Sequence, residues 1–168
     1  MKNYEIFYRG IERFFAQHPS FKRLMIAYNW FITKIMYVLY PCLLVYLYLG
    51  QSEDLGKSIV IPGIAFSLVS IFRKWRNQPR PYERWHTSPL MTRHGEGESF
   101  PSRHVFSATM ISMCFLVQSI WLGLLLLVLS AGLALCRVLG GVHYPKDVLV
   151  GFALGILFGI LLFFNLVS

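Results

Sequence analysis

Beyond His104 the chain carries only three residues charged at neutral pH, Arg137, Lys146 and Asp147, in a stretch that otherwise avoids charge. Charge held at the edge of an apolar bundle marks a candidate functional site. With His143 these residues read R-x5-H-x3-D, from Arg137 to Asp147. Two polar islands precede them: R-x6-R-P from Arg73 to Pro81, and P-S-R-H from Pro101 to His104. These residue types suit phosphoryl transfer, which needs a nucleophile, a proton donor for the leaving oxygen, and cations or N–H donors around the equatorial oxygens. His143 is the candidate nucleophile, with Asp147 placed to fix its tautomer and stabilise the imidazolium. His104 is the candidate general acid. Arg80 and Arg137 would clamp the phosphate, and Ser102, expected at a helix N-cap, would aim its hydroxyl and the following N–H groups at the same anion. Taken singly, a His, Arg or Asp at a membrane edge is more often a snorkelling or solvated residue; the joint order and spacing set this group apart.

The elements that must position these residues follow from composition. The 168 residues are 55% hydrophobic and only 14% charged, against about 25% charged in soluble domains, and mean hydropathy is +0.52. The solvent is a bilayer, and residues 1–168 read as one membrane-embedded unit with catalysis on the bundle itself. Sixteen Lys and Arg against eight Asp and Glu give a net charge of +8. In a membrane protein that excess points to anionic lipid headgroups rather than nucleic acid. Cys42, Cys114 and Cys136 lie in apolar runs and read as small hydrophobes.

The fold class expected is an all-α integral membrane bundle of about five transmembrane helices plus an N-terminal amphipathic surface helix. Residues 1–23 form the interfacial segment: Ile6, Phe7, Ile11, Phe14 and Phe15 fall at helical spacing between Glu5, Arg9, Glu12 and Arg13. No apolar signal-peptide core precedes the first span, which is expected to act as the insertion signal. That span runs from Leu24 to Gly50, interrupted by Asn29, Lys34 and Pro41, with Lys34 snorkelling. A second runs from Ser58 to Phe72, borrowing Leu55 and Gly56. Residues 73–104 form the polar active-site loop. From Val105 to Leu139 the apolar run is too long for one span, so it must reverse, best around Gln118 to Gly123. The last span, Val148 to Val167, carries Gly151, Gly155 and Gly159 as a small-residue ridge for contacts within the bundle. Pro145 is expected to open it. Five spans put the N-terminal helix, the 73–104 loop and the 136–147 segment on one face, with Gln51 to Lys57, the reversal and the C-terminus on the other. Trp75, Tyr82, Trp85 and Trp121 read as interfacial anchors. His86, His94, Glu96 and Glu98 read as solvated loop residues within reach of a headgroup.

The three islands, in their order, resemble the signatures of the type 2 phosphatidic acid phosphatase (PAP2) superfamily, K-x6-R-P, P-S-G-H and S-R-x5-H-x3-D. Here they read R-K-W-R-N-Q-P-R-P (Arg73 to Pro81), P-S-R-H (Pro101 to His104) and C-R-V-L-G-G-V-H-Y-P-K-D (Cys136 to Asp147). The resemblance implies a bacterial-type membrane lipid phosphatase with a phosphohistidine on His143 and leaving-group protonation by His104. It further implies phosphate binding by Arg73, Arg80, Ser102, Arg103 and Arg137, and no metal or other cofactor. The few, scattered acidic residues agree with the absence of a Mg²⁺ or Zn²⁺ ligand set. Three positions depart from the signatures. Arg73 replaces a lysine, exchanging a point charge for a planar fork, and Lys74 is a neighbouring candidate to compensate. Arg103 replaces a glycine, and Cys136 a serine.

Expected substrates are lipid phosphates or diphosphates of the undecaprenyl pyrophosphate, phosphatidylglycerol phosphate or phosphatidate type. The competing reading is a non-catalytic anionic-lipid binder whose site the three departures have eroded. A transporter lacks room for a paired inverted repeat, and the composition excludes a soluble haloperoxidase-like role. The distribution of basic residues puts the active face in the cytoplasm by the positive-inside rule. The resemblance puts it on the extracytoplasmic face, and that is the orientation adopted.

Overall fold

A computed structural model of the chain describes residues 2–85, 88–91 and 95–164. The described elements are helical: α1 (Lys2–Gln17), α2 (Pro19–Leu49), α3 (Asp54–Arg76), α4 (Pro81–Trp85), α5 (Arg103–Gln118), α6 (Ile120–Leu139), α7 (Pro145–Ile160) and a closing 3₁₀ turn, Leu161–Phe163. Four are long and apolar enough to cross a bilayer: α2, the segment beginning with α3, α6, and α7 with its 3₁₀ turn. The expected third span is α5, whose sixteen residues give about 24 Å at 1.5 Å per residue, short of the roughly 30 Å hydrocarbon core. It is the central helix of the bundle, packed on α2, α3, α6 and α7. Its buried face carries Val105, Phe106, Ala108, Met110 and Met113. The chain forms a multi-pass helical membrane bundle.

Local chemistry accounts for the boundaries. α2 and α3 run unbroken through Pro41 and Pro62, as membrane helices allow when neighbours re-satisfy the backbone. α3 stops at Asn77, whose φ of 38° is left-handed and whose N–H bonds back to Arg73 O. The reversal between α5 and α6 is tighter than the sequence suggested, a single extended residue, Ser119. Gly123 makes it feasible, because a Cβ there would stand 2.3 Å from Leu116 Cα. Pro145 occupies the first turn of α7, as expected.

The Gly151, Gly155 and Gly159 ridge is buried against α5. Added Cβ atoms would meet Ser102 O at 2.7 Å, Thr109 Cβ at 2.6 Å and Met113 Cγ at 2.4 Å. That close approach seats Ser102 beside the start of α7, where its N–H donates to Asp147 O at 2.9 Å. Polar contacts join the other helices: Tyr28 to Leu129 O at 3.0 Å, Tyr40 to Ser58 O at 2.9 Å, and Ser112 with Ser130 at 3.1 Å. Each contributes about 0.6 kcal/mol in a membrane setting. Lys34 is exposed, in keeping with snorkelling.

At one end of the bundle Gln118 Nε2 donates to Asp54 Oδ2 at 2.8 Å, bringing the two short turns together. At the other end α1, the 77–102 loop and the α6–α7 corner meet. Of the segments expected to share a face, α1, the 136–147 corner and described parts of the 73–104 loop meet at this end, and the 51–57 turn meets the α5–α6 reversal at the other; the C-terminal residues 165–168 lie outside the described residues. α1 differs in which residues it buries. Its inner seam is Tyr8, Ile11 and Phe15, while Ile6, Phe7 and Phe14 are exposed. The helix thus serves two surfaces, the bundle with one side and an apolar environment with the other.

Candidate active site

The last turns of α3 carry Arg73 inward, and the left-handed turn at Asn77 sends the chain back over the bundle end to Arg80. Arg73 Nη1 donates to Pro101 O, and Nη2 lies 3.9 Å from Glu98 Oε2. It braces the P-S-R-H segment as well as adding charge. Arg80 Nε donates to Gly97 O at 3.0 Å. Glu83 closes that loop, accepting from Arg80 N at 3.1 Å and from Gly97 N at 2.8 Å. Both guanidiniums are buried.

Ser102 is the N-cap residue of α5, as expected, yet its hydroxyl makes no cap hydrogen bond. His104 lies in the first turn of α5, two residues after Ser102. Arg137, in the last turn of α6, is 1% exposed. Its Nη2 lies 3.3 Å from His104 Nδ1 and its Nη1 3.5 Å from Asn29 Oδ1. Arginine only donates, so this contact makes Nδ1 the acceptor and leaves the His104 proton on Nε2.

His143 sits in the corner between α6 and α7, after Gly141 at φ +74°, and is 1% exposed. Its Nδ1 lies 3.6 Å from Asp147 Oδ2, which turns Nε2 away from the carboxylate. Asp147, at N3 of α7, is fully buried. Its carboxylate accepts from Ser99 Oγ, from Tyr144 N at 3.1 Å and from Gln78 Nε2 at 3.5 Å. Burial, then repulsion from Arg137 and Arg80, hold His143 down to about 4, against the opposing pull of Asp147. The imidazole is therefore neutral, with a free lone pair, at physiological pH. The expected result of an imidazole ¹⁵N titration in detergent is a His143 midpoint of about 4; a midpoint at the ordinary 6.5 contradicts it. The sign for stability follows: the unfolded chain takes up this proton first, so the contribution is full above about 6.5 and is lost as pH falls toward about 4.

Among the described residues four buried polar atoms of this cluster have no hydrogen-bond partner, Arg73 Nε, Arg80 Nη1, Arg137 Nε and Ser102 Oγ; His143 Nδ1, also without one, lies 3.6 Å from Asp147 Oδ2. Buried donors of this kind cost free energy unless an acceptor meets them. Arg73, Arg80 and Arg137 also repel one another across the cluster. An oxyanion with several acceptor oxygens answers both conditions. Among the described residues no group of three His, Cys, Asp or Glu side chains is arranged to share a metal ion.

The buried cluster thus gathers Arg73, Arg80, Ser102, Arg137, His143 and Asp147, with His104 at its edge. Arg103 and Lys74 are not brought in. Both are exposed, and Arg103 lies over the Phe66 ring at 5.8 Å. Cys136 is buried beside Arg137 without a disulfide. Glu96 is exposed, Glu98 reaches toward Arg73, and His86 and His94 lie outside the described residues. Trp75 and Trp121 are exposed, as anchors should be, but Tyr82 is 6% exposed. Its hydroxyl donates to Gly95 O at 2.6 Å, and Trp85 packs between Tyr8 and Tyr144. These two differ from the anchor reading because they pack inward, Tyr82 onto Gly95 and Trp85 between α1 and the start of α7. Sequence reasoning missed Gln78, Glu83 and Ser99, whose roles depend on how that loop closes. Asn29 carried a usable signal, a polar residue inside an apolar span.

The PAP2 superfamily profile matches residues 54–166. The chain is 29% identical over 165 residues to the undecaprenyl-diphosphatase BcrC of Bacillus subtilis (strain 168), covering 96% of this chain and 82% of that protein. Among solved structures it resembles LpxE of Aquifex aeolicus, with a TM-score of 0.73, 26% identity, and coverage of 93% and 92% of the two chains. A transmembrane PAP2-type phosphatidylglycerolphosphate phosphatase from Bacillus subtilis shares the fold, with a TM-score of 0.60 at 20% identity and coverage of 95% and 92%. On the profile match, the three signature segments and the shared helical membrane fold, the chain belongs to the PAP2 superfamily, among its membrane lipid phosphatases.

Proposed function

We propose that this protein hydrolyses a polyprenyl diphosphate of the undecaprenyl type, without a metal ion, through a phosphohistidine on His143. The observation that carries this reading is the set of orphaned donors on three buried guanidiniums around a neutral histidine. His143 Nε2, the nitrogen remote from Asp147, supplies the electron pair. A P–N bond forms as the bond from phosphorus to the leaving oxygen breaks, and the charge that develops is met by Arg73, Arg80, Arg137 and the Ser102 hydroxyl. His104 gives a proton to the departing oxygen. Arg137 drawn onto the phosphate releases His104 Nδ1, so that the ring can carry the second proton a general acid needs. In the second half His104 takes a proton from water, the oxygen attacks phosphorus, and cleavage of P–N returns neutral His143 with inorganic phosphate.

Two observations support the lipid class. An apolar cavity of about 300 Å³ lies between α2, α3 and α5, lined by Tyr37, Tyr40, Phe66, Phe106 and Met110, and Phe106 stands two residues from His104. The relative that matches 96% of this chain is named for undecaprenyl diphosphate. The three signature departures do not empty the site, since Arg73 is buried within it and Arg103 points elsewhere. Purified protein in EDTA is expected to release phosphate from undecaprenyl diphosphate faster than from phosphatidate or phosphatidylglycerol phosphate. Loss of all turnover in EDTA, restored by a divalent ion, contradicts the mechanism. On the family resemblance we assign the active face to the extracytoplasmic side. Glu96→Cys, on the exposed loop, is then expected to react with an impermeant maleimide in intact cells, and labelling only after lysis would reverse the assignment.

A further inference from the structure

The N-terminal helix lies outside the residues matched by the family profile, yet it reaches the candidate nucleophile. Tyr8, 3% exposed, donates its hydroxyl proton to the backbone carbonyl of His143 at 2.8 Å. Its ring lies against Gly141, 3.8 Å from the point where a Cβ would stand. On its other side it packs on Trp85 at 6.2 Å between centroids, and Trp85 packs on Tyr144 at 5.7 Å. Ile11 and Phe15 extend the seam into a cluster with Met25, Tyr82, Met91, Cys136 and Val142. The helix thus grips the α6–α7 corner at the residues flanking and including His143.

The corner is held from two sides. Gly141 sits at φ +74°, the N–H groups of Val142 and His143 share one acceptor, Arg137 O, at 3.3 Å each, and the His143 carbonyl is held from α1 by Tyr8. Among the described residues the contact that fixes the imidazole's turn is its 3.6 Å approach to Asp147. Where the ring sits is therefore set largely by where its backbone sits. Displacing a reacting group by about 1 Å costs on the order of 100-fold in rate.

We infer that Tyr8 is a positioning residue for the phosphatase reaction, acting through its hydrogen bond to the His143 carbonyl. The inference rests on His143 being the nucleophile. The bond is to backbone, so it leaves the chemistry of the imidazole unchanged and acts on its aim. A helix that faces the bilayer with Ile6, Phe7 and Phe14 and the nucleophile with Tyr8 ties the reacting group to the membrane surface.

The test is Tyr8→Phe in the full chain, reconstituted in nanodiscs and assayed with undecaprenyl diphosphate beside His143→Ala and Phe15→Ala. The expected result for Tyr8→Phe is a kcat lowered about tenfold, with KM within about twofold and the thermal unfolding midpoint unchanged. Phe15→Ala keeps the hydroxyl and loosens the seam; it is expected to lower the midpoint and hold kcat within about threefold. Wild-type kcat in Tyr8→Phe beside an inactive His143→Ala overturns the role of Tyr8 and leaves the nucleophile standing. Equal kcat losses in Tyr8→Phe and Phe15→Ala that track their unfolding midpoints reduce Tyr8 to packing and also overturn it. An active His143→Ala removes the nucleophile reading itself.

Discussion

Replacing His143 by alanine is expected to lower kcat by about 10⁵-fold while leaving substrate binding within a few-fold of wild type. The asymmetry follows from the division of labour in the site. Arg73, Arg80, Arg137 and Ser102 supply the donors that face an oxyanion, and none depends on the imidazole for its placement. Arg80 is held by Gly97 and Glu83, Arg73 by Pro101, and Arg137 by Asn29 and His104. The binding shell therefore survives the loss of the nucleophile. Steady-state kinetics paired with equilibrium binding of a non-hydrolysable lipid phosphonate separates the two effects. A fall in affinity that accounts for the lost turnover would mean His143 binds phosphate rather than attacking it.

Asp147→Asn is expected to lower kcat by about 10³-fold with little change in KM, through the tautomer of His143. The carboxylate near Nδ1 favours the proton there and leaves Nε2 with its lone pair. An amide can turn its N–H₂ toward Nδ1, which moves the proton to Nε2 and removes the nucleophile. It also has one acceptor oxygen to meet donors from Ser99, Tyr144 and Gln78 that now share two. A stability loss of about 1–3 kcal/mol accompanies an unsatisfied buried donor, so thermal unfolding should report the change as well. Full activity in Asp147→Asn would restrict the residue to capping α7.

The parts of the site legible in the sequence are those whose geometry is set by helix ends. Arg137 closes α6 and Asp147 opens α7, so the spacing R-x5-H-x3-D encodes a corner with three buried polar side chains, Arg137, His143 and Asp147. Ser102 was readable as an N-cap for the same reason, and the small-residue ridge at Gly151, Gly155 and Gly159 announced close packing before its partner, α5, was known. Arg103 shows the limit of register. It stands within a signature, but the first turn of α5 rotates it onto Phe66, away from the buried cluster. Lys74 is likewise one step around α3 from Arg73. Ser99, Gln78 and Glu83 were illegible because long-range loop closure, not local periodicity, brings them to Asp147 and Arg80. Tyr8 was hidden for a different reason. Its helix is amphipathic by pattern, and an aromatic with a polar tip looks the same whether it faces headgroups or a carbonyl of the catalytic corner.

The central claim is a covalent phosphate on His143, and rapid quenching into alkali with substrate labelled in the terminal phosphate tests it most directly. The account predicts an alkali-stable, acid-labile label confined to the peptide containing His143. That label should be absent from His143→Ala and should form more slowly in His104→Asn, where the departing oxygen receives no proton. Turnover in the wild type with no protein-bound label, or a label on another residue, would contradict it.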